Sequence, residues 1–152
     1  KRYYACAILI AAWFVQLTSQ LIKEGKKDKA LKALDYCEKV IPSTTVPHDY
    51  LMSSSKEMAE NYLALGQPQK AEKILNELAN NAVEYATWYL SLDDARFASS
   101  YENCMRYFYI LDDVCKTMAQ MKDSKTGEEK QICFALCSKV RPAVQTAGKT
   151  SR

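Results

Sequence analysis

The chain has 152 residues, 21 basic against 18 acidic for a net charge of +3, and 48% hydrophobic content. A domain of this size buries roughly 70% of its unfolded surface, enough for a core without disulfide staples. The small basic excess excludes the clustered positive face of a nucleic-acid binder. Four glycines and four prolines leave little room for disorder outside the tail.

The chain opens on Lys1-Arg2 without a Met, which reads as a piece of something longer. The apolar run from Tyr3 to Val15 has about 13 residues, short of the roughly 20 that span a bilayer. No small-residue cleavage site follows it. A buried helix is therefore expected, with the edge of a membrane or leader segment as the competing reading. Its core face is expected to carry Ile10, Phe14, Leu17 and Leu21, and Gly25 stops it.

A second helix is expected from Asp28 to Val40, with Ala30, Ala33, Leu34, Cys37 and Ile41 inward and Pro42 at its end. Residues 43–47 form a loop between two prolines. The spacing predicts a third helix from Asp49 to Leu65, with Met58, Ala59 and Tyr62 inward, closed by Gly66. Pro68 suits the first turn of a fourth, where a missing N–H costs nothing. Its stripe runs through Ala71, Ile74, Leu75, Leu78, Ala82, Tyr85 and Tyr89. Ser99-x-x-Glu102 reads as a capping box opening a fifth helix, with Tyr101, Cys104, Phe108, Leu111, Cys115 and Met118 inward. Thr126-x-x-Glu129 does the same for a sixth, ending at Arg141-Pro142 before a frayed tail over 142–152.

One segment repeats. The run from Leu21 through Gly25 to Ala30 corresponds to Tyr62 through Gly66 to Ala71, and Leu34 and Cys37 correspond to Leu75 and Leu78. A Gly closes the first helix of each copy because the tight turn needs a permissive backbone. The small Ala five residues later lets the second helix approach closely. In these positions the chain resembles the tetratricopeptide repeat, with Pro42 where that family ends its unit. The resemblance implies an all-α fold of about six helices in stacked antiparallel pairs (about 3–41, 49–92 and 99–140), a right-handed solenoid in one domain over 1–141. The loop from Pro42 to Pro47 lengthens the repeat beyond that family's roughly 34 residues. The third pair lacks the Gly-to-Ala signature.

A second resemblance covers about Phe14 to Met118. It rests on Leu21 to Leu34, on Thr45-Val46-Pro47-His48-Asp49-Tyr50, and on Tyr89-Leu90-Ser91-Leu92 through Phe97-Ala98-Ser99. These strings are similar to the soluble C-terminal region of a Bacteroidetes family of multi-spanning membrane proteins of unknown function, related to protein O-mannosyltransferases. That implies an extracytoplasmic, periplasmic-side domain tethered to the inner membrane by its parent chain. Catalytic residues of such enzymes belong to the membrane part, so none carries over.

Local constellations add little chemistry. Ser53-x-x-Lys56 with Lys125-Thr126-Gly127 suggests a penicillin-binding enzyme, but the sheet and third element are missing. Gly148-Lys149-Thr150 lacks the earlier Gly and strand of a phosphate-binding loop. His48-Asp49 has no Ser or Cys partner identifiable by spacing and reads as a loop His beside a helix cap. The pairs Asp93-Asp94, Asp112-Asp113 and Glu128-Glu129 read as solvated faces or first-turn charges. Six cysteines without a CxxC, and one His, give no metal centre; they read as small buried hydrophobes. Lys23, Lys26, Lys27, Lys29 and Lys32 make a basic patch interrupted by Glu24 and Asp28, a solvated turn or a contact for anionic headgroups.

The functional expectation is thus a non-catalytic interaction module without cofactor, binding a protein segment or glycan. A free-standing adaptor is the alternative. A binding wall is expected at Tyr50, Glu57 and Asn61, which the core positions of the third helix leave over, extended by Tyr101 and Arg106 on the fifth. Tyr85, Trp88, Tyr89 and Tyr101 form a second aromatic concentration, divided between core and partner surface.

Overall fold

The computed structural model describes residues 2–122. Among these the protein is all-helical, with α1 at Arg2–Lys23, α2 at Lys27–Val40, α3 at Ser55–Ala64, α4 at Pro68–Leu90 and α5 at Asp94–Lys122. The expected sixth helix, Cys133, Cys137 and the tail lie outside the described residues. Two compact units divide the chain within α4, at Lys1–Glu77 and Leu78–Arg152.

In the first unit α1 packs on α2 and on α3. Both ends of the sequence repeat close in the same way. Gly25 has φ +75° and Gly66 φ +72°. The N–H of Gly25 donates to the carbonyl of Ile22 and that of Lys26 to Leu21; Gly66 donates to Leu63 and Gln67 to Tyr62, at 2.8–3.0 Å. Each is a Schellman closure, in which a left-handed residue lets the chain satisfy the helix's last carbonyls. Ala30 and Ala71 then donate to Lys26 and Gln67, and both are fully buried. Val15, Leu34, Cys37, Val46, Met58, Ala59, Tyr62, Ile74 and Leu75 complete the buried apolar set of this unit.

α1 departs from expectation in two ways. Its inward residues are Val15 and Thr18, while Ile10 and Leu17 are about half exposed. The helix is apolar all round, so the 3–4 spacing fits more than one face, and the polar anchors decide. Asn61 of α3 donates to the Val15 carbonyl at 3.1 Å and bonds Ser19, which turns that side inward. Second, the uncharged residues beyond Val15 continue the apolar character. Within α1 the 19-residue stretch Ala5–Lys23 is long and apolar enough to cross a membrane by length and composition, and only 17% of its most apolar part is buried. The expectation of a short, buried helix is corrected on both counts.

α3 begins six residues later than Asp49. The Asp49 carboxylate accepts the N–H groups of Leu51 and Met52 at 2.8 and 2.7 Å, folding the segment into a side-chain-closed turn that competes with helix. Ser54, at φ 50° in the left-handed region, marks where helix starts.

In the second unit, buried positions come from the later part of α4 (Leu78, Ala79, Ala82, Ala86) and from α5 (Cys104, Ile110, Leu111, Val114, Met118). α5 starts at Asp94 rather than Ser99. Asp93 accepts the Arg96 N–H at 3.0 Å as the helix cap, and Ser99 instead donates back to the Arg96 carbonyl from inside the helix. Asp94 is a first-turn charge, as expected, whereas the capping role of Asp93 was not foreseen. Tyr85 and Tyr101, placed inward by spacing, are about half exposed. The small Ala79, Ala82 and Ala86 hold the buried face of α4 and leave the rings outside.

Candidate functional site

Of the five residues expected on a binding wall, three belong to the first unit. Tyr50 is half-buried in the turn before α3, and Glu57 is exposed on the first turn of that helix. Asn61 is 8% exposed and its amide is spent on Val15 and Ser19 of α1. Tyr101 and Arg106 are exposed on α5 in the second unit, where Tyr101 meets the edge of the Phe97 ring at 6.0 Å.

The second unit also carries a connected set of rings. Tyr85 of α4 stacks on Tyr107 of α5 with centroids 4.8 Å apart, and Tyr89 lies 5.9 Å from the same ring. Trp88 meets Tyr89 edge-on at 4.8 Å. Offset and edge-to-face contacts at these separations hold aromatic rings in place. Tyr85 and Trp88 nevertheless remain 49% and 55% exposed. The result is a pre-ordered aromatic surface with its outer faces open to solvent. Tyr107 was not singled out by spacing, although it joins the two sides.

His48 proves to have the serine partner that spacing could not identify. Its Nδ1 lies 3.0 Å from the Ser55 hydroxyl, and Nε2 lies 3.9 Å from the Glu77 carboxylate of α4. Ser53 stands 2.5 Å from Ser55 and donates to the Asp49 carbonyl. Serine, imidazole and carboxylate follow the order of a nucleophilic relay. Access is what it lacks. Ser55 is 1% exposed, and the cavity it shares with His48, Cys37 and Glu38 measures about 30 Å³. That is room for about one water, not an acyl substrate. In this geometry the chain of hydroxyls fastens the loop before α3 onto α3 and α4. Burial lowers the His48 pKa, more than Glu77 and Glu38 raise it, which favours the neutral imidazole.

A second polar cluster centres on Tyr62, whose ring is fully buried while its hydroxyl donates to Glu38 at 3.1 Å. Burial and the neighbouring Glu38 and Asp35 carboxylates push its pKa far above the usual phenol value. Lys70 bridges Asp35 and sits 5.2 Å above the Tyr62 ring, tying α4 to α2 and α3. No group of His, Cys, Asp and Glu side chains among the described residues is arranged to hold a metal.

Compared with family models, with curated proteins and with solved structures, the chain matches none.

Proposed function

We propose that this chain is a non-catalytic helical-repeat interaction module of the tetratricopeptide type. Its recognition element is the aromatic surface of Tyr85, Trp88, Tyr89 and Tyr107. The observation that carries the reading is a set of four rings held in mutual contact while two of them stay about half exposed. Rings used only for packing gain by being covered. Rings ordered beforehand and left open contribute apolar area to a partner at low entropic cost.

The partner is a protein segment or a glycan; both present the flat, partly apolar faces that stack on Tyr and Trp. Tyr101 and Arg106 on α5 supply further contacts, and Tyr50 and Glu57 offer a separate surface in the first unit. The two matching Schellman turns support the repeat architecture. The sequence resemblance supports a periplasmic-side location at the end of a membrane glycosyltransferase-like parent.

Peptide and glycan arrays probed with the chain and with its Tyr85→Ala/Trp88→Ala variant test this reading. Ligands retained by the chain and lost by the variant, at unchanged helical content, are expected. Binding that the double substitution leaves intact, or no binding on either array, would overturn it.

A further inference from the structure

The outward side of α1 carries an exposed apolar surface in the first unit. Leu9, Ile10, Trp13 and Leu17 are all about half exposed or more, Trp13 reaching 75%, and with Phe14 they line an apolar hollow of about 430 Å³. At 100° per residue, positions 9, 10, 13 and 17 share one side, opposite Ala11, Val15, Thr18 and Ile22. The opposite side is already committed to the fold through Val15, Thr18 and the Asn61 bonds. A helix with one side inside its domain and the other exposed and apolar cannot be surrounded by lipid while the fold is intact. It can lie on a bilayer.

We infer that α1 docks this face, in the plane of the interface, onto a membrane bearing anionic lipid. Charge selects the occupant. Lys23, Lys27, Lys29 and Lys32 are exposed around the end of α1 and the first turns of α2, with Asp28 exposed among them and Lys26 held by Glu24, so the cluster keeps a basic excess. Lys23 follows Leu17 by about 9 Å along the helix axis, at the edge of the apolar side next to Leu9's row rather than on it. A face lying at the acyl boundary thus brings cations to the headgroups, where each basic side chain is attracted to anionic lipid. Trp13 suits the same depth, because an indole has an apolar body and one polar N–H. A parallel pairing with a second copy is disfavoured, since it sets one lysine cluster beside the other. This inference uses the first unit alone and stands whether or not the Tyr85–Trp88 surface binds a ligand.

Sedimentation of the full 152-residue chain with phosphatidylcholine vesicles, with and without phosphatidylglycerol, tests the inference. A Trp88→Phe background lets Trp13 emission report insertion. Binding to the anionic vesicles with a blue shift of Trp13 is expected. Lys27→Gln/Lys29→Gln/Lys32→Gln should weaken it about a hundredfold, and Trp13→Ser/Leu17→Ser should abolish it. Circular dichroism checks that both variants keep their helix content, as exposed positions predict. Absence of binding to either vesicle would overturn the inference, as would equal binding to neutral and anionic vesicles. So would a blue-shifted Trp13 in a dimer formed without lipid.

Discussion

Burial separates residues of the same type. Cys37 and Cys104 are buried thiols whose pKa is raised by desolvation, with Glu38 adding to the effect at Cys37, whereas Cys6 lies exposed on α1. Because the thiolate is the reactive form, a maleimide reagent should modify Cys6 promptly and leave Cys37 and Cys104 unmodified until the fold opens. Peptide mapping after a short native pulse reads this directly, and early labelling at Cys104 would contradict the placement of α5. His48 gives a pH dependence. Its pKa in the folded protein lies below the ordinary 6.5, so the unfolded chain binds the proton more tightly. The stability it contributes is complete above pH 6.5 and falls as the pH drops through that value toward the folded pKa. Melting temperatures between pH 7.5 and about 5 should therefore decline less steeply in His48→Gln than in the parent chain. Identical slopes would place the titrating group elsewhere.

Helix ends were legible in the sequence where one residue type has no substitute, and illegible where several compete. Gly25 and Gly66 announced the two turns because only glycine enters the left-handed region there without steric cost, and Ala30 and Ala71 followed at the same step. The starts of α3 and α5 were misread. Asp49 and Asp93 each offered a carboxylate to backbone N–H groups, Asp49 to close a turn and Asp93 to cap a helix earlier than the Ser99 box. The inward face of α1 could not be read from apolar spacing, since Asn61, 42 positions after Ser19, orients it. Ser55 and His48 were invisible as a pair for a similar reason: the turn at Asp49 brings them together. The equivalence of the two turns is testable. Gly25→Ala and Gly66→Ala meet no atom within 4 Å of the new Cβ, so each carries only the left-handed backbone cost of about 1–2 kcal/mol. Closely similar losses in chemical denaturation are expected, and a large cost at one position alone would break the repeat. Ala71→Leu, at a fully buried site, should cost about 1–3 kcal/mol by overpacking. An unchanged melting temperature in that variant would refute the alignment of the two copies.

At the scale of the whole molecule, each unit leaves an exposed apolar or aromatic surface among its described residues once its own core is satisfied. Unit one leaves the outer side of α1, and unit two leaves the connected rings of α4 and α5. The aromatic concentration was partly legible, since Tyr85, Trp88 and Tyr89 stand close in sequence. Tyr107 was not, because its role depends on how α5 returns beside α4. Each surface holds one of the chain's two tryptophans, Trp13 and Trp88. The two indole N–H resonances therefore separate recognition on the rings from contact at α1 without further labelling chemistry. The most direct measurement is a nitrogen–proton correlation spectrum recorded while an array-selected peptide or glycan is titrated into the chain. If the rings are the recognition surface, the Trp88 indole signal moves with ligand concentration and saturates while the Trp13 signal stays in place. A Trp88 signal that remains fixed as the ligand binds would contradict that claim.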